Sequence, residues 1–225
     1  MPETPPEPKR RPKPRKAETT RGEILAAAAR LFAEKGYGEC NLRELADRVG
    51  MKAGSFYYHF KSKEQILDEL LSASIAMVSD AVTQAVAELG ASAPVRDRIA
   101  AAMRAHITAF LSGDNNSASF MRVWEHLPPT LKRRKREERR AYARIWHDLV
   151  AEGMREGEIR DDMDIRLVVP FLIGTMSRSI EWYRPSRMSI DDVCHLIITT
   201  CLDGGLGRQG QGGAKARRPG TLVSR

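Results

Sequence analysis

Several things this chain lacks narrow what it can be. Three cysteines in 225 residues, an odd number, argue against a disulfide framework and lead us to expect a reducing, cytoplasmic setting. Aromatic residues are only 6% of the chain while hydrophobic residues reach 42%, much of it Ala, Leu, Ile and Val. That balance favours packed helices over a β sandwich. No run of 18 uninterrupted apolar residues occurs, so no membrane partner is expected, and the N-terminal segment has no apolar stretch of the signal-peptide kind. Ser, His and Asp are present without a recognisable catalytic spacing, and no Gly-rich phosphate loop is found. No His/Cys/Asp group has metal-ligand spacing. The expectation is therefore no enzyme, no catalytic residue, no cofactor and no metal.

What is present in excess is positive charge, and its location matters more than its total of +8. Residues 1–18 hold six Lys/Arg against three Glu, and residues 205–225 hold five Lys/Arg and no acid; residues 19–204 balance at 26 basic and 26 acidic. Both ends, Pro-rich in the first case and Gly/Gln/Arg-rich in the second, are expected to be disordered basic tails. RPKPRK in the first could reach a minor groove or could add only non-specific attraction. Within the neutral body, residues 19–63 carry eight basic and five acidic residues, an electrostatic footprint suited to nucleic acid.

Between the tails the periodicity is helical almost throughout, about nine helices and no convincing strand. Thr20-x-x-Glu23 predicts a capping box opening a helix with Ile24, Leu25, Ala28, Leu31 and Phe32 inward. Asn41-x-x-Glu44 and Ser62-x-x-Gln65 predict two more starts. From Ser62 to Gly90 apolar residues recur at helical spacing over nearly 30 residues, and further helices are predicted at 94–112, 120–127, 131–155, 164–183 and 189–204. Cys194 and Cys201 lie seven apart on the last of these, about 10 Å by helical rise, too far for a disulfide; they read as core or interface.

Residues 41–64 carry the functional signal. Leu42, Leu45, Ala46 and Val49 give a first short helix one apolar face, and Gly50 follows where a left-handed residue ends it. In the next segment Phe56 and Phe60 share a face, leaving Tyr58 opposite, Gly54 and Ser55 beside it, and Tyr57 and His59 on the flanks. A helix seated in the major groove needs such a polar outer face. GMKAGSFYYHFKSKEQIL resembles the helix-turn-helix signature of TetR-family transcriptional regulators, matching it at Gly50, Gly54, Tyr57, His59, Phe60, Ser62, Lys63 and Glu64. TRGEILAAAARLFAEKGY resembles that family's first helix. The resemblance covers residues 19–70. One departure is Lys52, where the family often has a Ser or Thr N-cap, a loss worth about 1 kcal/mol. The resemblance implies an all-α protein with a three-helix DNA-binding domain at 19–64 and a helical ligand-binding and dimerisation domain at 65–204. It implies DNA contacts at Lys52, Ala53, Gly54, Ser55, Tyr57, Tyr58, His59 and Lys63. Tyr57, His59 and Lys63 would mainly hold phosphates, and Lys52, Ser55 and Tyr58 would approach bases.

The remaining constellations concern a ligand. His106 lies on an apolar helix face, as a satisfied core histidine or as part of a pocket. Five adjacent cations, Lys132 to Arg136, oppose the helix dipole and require a compensating charge. Arg178 and Trp182 are one turn apart in an apolar helix, where a half-buried Arg needs a partner or stacks on the indole. VWEHLPPTLKRRKREERR and SRSIEWYRP resemble, more loosely, segments of the acyl-CoA-sensing branch of the TetR family. That resemblance implies a pocket of Met103, His106, Phe110, Trp124, Trp146, Arg178 and Trp182. The helices at 164–183 and 189–204 are the expected homodimer interface, with Ile197 and Ile198 in it. The expected function is a ligand-released repressor of a palindromic operator. A multidrug-efflux repressor and an architectural DNA-binding protein are the alternatives.

Overall fold

The computed structural model describes residues 16–112 and 127–205, which form helices joined by short connections. Eight α-helices follow one another: α1 (Lys16–Lys35), α2 (Leu42–Arg48), α3 (Ala53–His59), α4 (Lys63–Leu89), α5 (Val95–Leu111), α6 (Pro129–Arg155), α7 (Ile165–Trp182) and α8 (Ile190–Thr199), the last continuing as a π-helical turn to Gly205. The chain divides into two compact units, one of residues 16–75 and 127–137, the other of residues 76–112 and 138–205. The helix expected at 120–127, with Trp124, falls almost wholly outside the described residues, as do most of both basic tails.

In the first unit, Ile24, Leu31 and Phe32 of α1, Leu45 of α2, Phe56 of α3, Phe60, and Ile66 and Leu67 of α4 form one buried core. Leu127 and Leu131, at and just before the start of α6, complete it. The first helix begins at Lys16, four residues before the expected cap at Thr20, because Ala17 and Glu18 are good helix formers with no breaker among them. Asn41 caps α2 by accepting from the Glu44 amide at 2.9 Å. Gly50 has φ +65°, the left-handed conformation that ends the helix. Leu70 and Leu71 of α4 also belong to this core, and in the part of α4 within the other unit Val78 and Val82 are buried. By length and composition α4 is apolar enough to cross a membrane, and six of its apolar residues, Ile66, Leu67, Leu70, Leu71, Val78 and Val82, are buried within the protein.

The compensating charge at the start of α6 is Asp68 of α4. Its carboxylate lies 3.1 Å from Arg134 and 2.8 Å from Lys135, whose side chain is 2% exposed and also donates to Ser72. Burial pushes the Asp68 carboxyl up, but hydrogen bonds and charge from Lys135 and Arg134 outweigh it and hold the group below the ordinary carboxylate value.

In the second unit α5 lies against α7 and α8. Asp164 caps α7, and Ser189 and Asp192 form a reciprocal capping box on α8, with bonds of 2.8 and 3.1 Å. Cys194 and Cys201 are both buried in this unit's own core, as is Ile197. Of the two residues expected in the homodimer interface, Ile197 is buried within this unit and Ile198 is half-buried: α8 turns Val193, Cys194 and Ile197 inward and leaves Leu196 57% exposed.

Lys63 also departs from expectation. Its ammonium donates to the carbonyls of Tyr37 (3.0 Å), Gly38 (3.0 Å) and Cys40 (3.1 Å) and lies 4.6 Å from the Tyr37 ring centroid. An ammonium has three hydrogens, and all three are occupied in holding the α1–α2 connection. Lys63 is thus a cap on orphan carbonyls rather than a group held out for phosphate. Lys63→Met is expected to lower the thermal midpoint of the protein by several degrees, at roughly 1 kcal/mol per lost bond. Thermal unfolding followed by circular dichroism checks this, and an unchanged midpoint would return the residue to the phosphate role.

Candidate nucleic-acid interface and buried polar cluster

Helix α3 has seven residues, and its two faces differ sharply. Phe56 is fully buried and so is Phe60, which ends the helix in extended conformation. Lys52, Ala53, Gly54 and Ser55 are exposed, Tyr57 is 44% exposed and Tyr58 79%, while His59 is half-buried. Seven of the eight expected DNA contacts thus share this helix and its N-cap, and Lys63 alone is turned inward. Lys52 occupies the N-cap with φ −64° and ψ +140° and makes no side-chain cap bond. The first amides of α3 are left for another acceptor, next to an exposed ammonium.

Sequence reasoning missed what holds this helix. Arg21 of α1 donates to the His59 carbonyl at 2.7 Å and to both carboxylate oxygens of Glu69 on α4, through Nε at 3.0 Å. Its guanidinium carbon lies 4.1 Å from the Phe60 ring centroid. Arg21 and Glu69 are 48 residues apart, so no local spacing signals the pair.

In the second unit, three of the expected pocket residues come together. His106 (α5) stacks on Phe110 with centroids 4.8 Å apart and meets Trp146 (α6) edge-on at 6.2 Å. Nδ1 of His106 is 2.5 Å from the Tyr142 hydroxyl and Nε2 is 3.1 Å from the Ser177 hydroxyl on α7. Tyr142, one turn before Trp146, and Ser177 were not anticipated as site residues; the four-residue spacing of the two aromatics was the available signal. Met103 is fully buried in the same unit. The indole N–H of Trp146 is buried on the side of the Tyr142 hydroxyl. Arg178 and Trp182 do not join the cluster. Ser177 and Ser179 of α7 face inward, whereas Arg178 is exposed and pairs with Glu181 at 2.9 Å, and Trp182 is 42% exposed. The expected half-buried Arg178 is corrected by the helix phase, which puts it on the outer stripe.

Burial lowers the His106 pKa from 6.5 to about 3, so the ring is neutral and donates through one nitrogen while accepting at the other. The unfolded chain therefore binds a proton between these values that the folded chain does not. Stability from this group is complete above about pH 6.5 and falls as pH drops, by about 1.4 kcal/mol per unit. Denaturant midpoints from pH 7.5 to 5 should show that slope, and His106→Gln should remove it; an identical slope in both proteins would contradict the assignment.

The comparison with known proteins agrees with this geometry. The sequence model described as bacterial regulatory proteins, tetR family, matches residues 24–70. That described as tetracyclin repressor-like, C-terminal domain, matches residues 92–205. The HTH-type transcriptional repressor KstR2 of Mycobacterium tuberculosis is 32% identical over 170 residues, which cover 73% of this chain and 82% of the relative. The solved structure of that organism's ketosteroid transcriptional regulator KstR2 superposes with a TM-score of 0.69 at 26% identity, over 84% of this chain and 96% of that one. The fatty acid metabolism regulator protein of Bacillus subtilis is 27% identical over 160 residues, 70% of this chain and 80% of the relative. AibR, solved with isovaleryl coenzyme A and operator DNA, shares the fold with a TM-score of 0.71 at 20% identity, over 80% of this chain and 96% of that one. The chain belongs to the TetR family of bacterial regulatory proteins and is a helix-turn-helix transcriptional repressor.

Proposed function

We propose that this repressor acts in the cytoplasm as a homodimer on a palindromic operator and is released by an acyl-CoA thioester. The polar face of α3 supports the operator half of this reading: Lys52, Ser55 and Tyr58 approach base edges, while Tyr57 and His59 meet phosphates. Two such helices must be held about one DNA turn apart, roughly 34 Å, which requires a dimer. The outer stripe of α7, with Leu167 70%, Phe171 61% and Trp182 42% exposed, together with Leu196 of α8, supplies the apolar surface for it. Phe171→Glu should then yield folded monomers that lose operator affinity; sedimentation showing an intact dimer would remove α7 from the interface.

The effector reading is carried by the cluster around Trp146. Its hydrogen-bonding groups, His106, Tyr142, Ser177 and the buried indole N–H, are uncharged and enclosed by apolar residues. Such an interior suits an acyl group carrying a carbonyl oxygen, which would accept from the indole. The relatives named for ketosteroid and fatty acid regulation support the same chemical class. AibR indicates that the fold can carry a coenzyme A ester. A duplex selected from random DNA by the protein, titrated with linear and ring-bearing acyl-CoAs and with free coenzyme A, tests the reading. Release by a thioester and not by free coenzyme A is expected. Trp146→Phe should raise the concentration needed by about tenfold, the worth of one buried hydrogen bond, without changing DNA affinity. If no thioester releases the duplex, the effector belongs to another class.

A further inference from the structure

Helix α3 is two turns long, roughly 10 Å, and one side chain within it, Phe56, is fully buried. A single anchored ring leaves such a helix free to tilt unless its ends are held. At the N-terminal end Lys52 forms no side-chain cap. At the other end the last carbonyls have no partner within the helix. The His59 carbonyl is met by Arg21 at 2.7 Å, and the same guanidinium is forked onto Glu69 and stacked over Phe60. With Nε and both terminal nitrogens engaged and one ring face covered, Arg21 is committed to the protein although its side chain is 34% exposed.

We infer that Arg21 is a positioning residue for operator recognition: it clamps the C-terminal end of α3 to α1 and α4 and so sets the angle at which Tyr58 and Ser55 meet base edges. Base readout depends on that angle, whereas attraction to phosphates does not. Removing the guanidinium therefore costs discrimination between sequences and leaves non-specific binding intact. The inference rests on α3 being the reading helix, and Tyr58→Ala separates the failure of one from the failure of the other.

The experiment compares wild type, Arg21→Met, Arg21→Lys and Tyr58→Ala on a duplex selected from random DNA and on a scrambled duplex of equal composition. Salt is varied, and the temperature is one at which circular dichroism shows each protein folded. Arg21→Met should lose about tenfold or more on the selected duplex, with the scrambled duplex and the salt slope unchanged. Arg21→Lys, which keeps the charge but cannot fork between carbonyl and carboxylate, should fall with it. Full discrimination in either Arg21 variant overturns the inference. An equal loss on both duplexes, with a salt slope lower by about one, also overturns it, because Arg21 would then be a phosphate ligand. Full discrimination in Tyr58→Ala overturns the reading of α3 and the inference together.

Discussion

A helix of seven residues is too short to persist in water, since its nucleation cost is never recovered by its few internal bonds. Everything about the DNA-binding unit follows from the need to hold α3 from outside. Phe56 and Phe60 place its inner face in a core built by four other helices. Gly50, at φ +65°, sets where α2 stops, and Arg21 meets the far end. What is left over, the small and hydroxyl-bearing residues from Lys52 to Tyr58, faces outward because it has no place in that core.

The signature residues were legible for this reason: a pattern of buried rings and exposed polar groups is a local property, readable at helical spacing. The cap at Asn41 and the left-handed Gly50 were legible on the same ground. Lys63 was not. Its type fits a phosphate contact, but the direction of an ammonium on a flexible stem depends on where the Tyr37, Gly38 and Cys40 carbonyls lie, and these come from another connection of the chain. Arg178 misled in a related way: α7 is apolar on both sides, so periodicity could not tell its inner face, with Leu172 and Met176, from its outer one, with Leu167 and Phe171. The same ambiguity hid that Ile197 faces inward and Leu196 outward. Arg21 with Glu69, and Asp68 with Lys135, are pairs 48 and 67 residues apart, and only the fold brings them together.

The buried lysine of the first unit and the aromatic cluster of the second handle polarity differently. The first keeps charges and neutralises them in pairs, so that Lys135 is buried only because Asp68 and Ser72 receive it. A buried ion whose partner is removed is costly, which ties the start of α6 firmly to α4 in this unit. The cluster in the second unit excludes charge. There His106 is held neutral, and its partners are hydroxyls. The donors and acceptors of that cluster are neutral hydroxyl, imidazole and indole groups.

That contrast acquires consequence through chain continuity. Helix α6 carries Leu131, Arg134 and Lys135 in one unit and Tyr142 and Trp146 in the other, without a break from Pro129 to Arg155. Helix α4 likewise carries Asp68 and Glu69, which hold Lys135 and Arg21, before it continues to Val78 and Val82. A ligand can alter DNA affinity only by the difference in its affinity for two arrangements of the protein. In the first unit, the start of α6 is fixed by the Lys135–Asp68 ion pair to α4, the helix that also carries Glu69, the partner of Arg21.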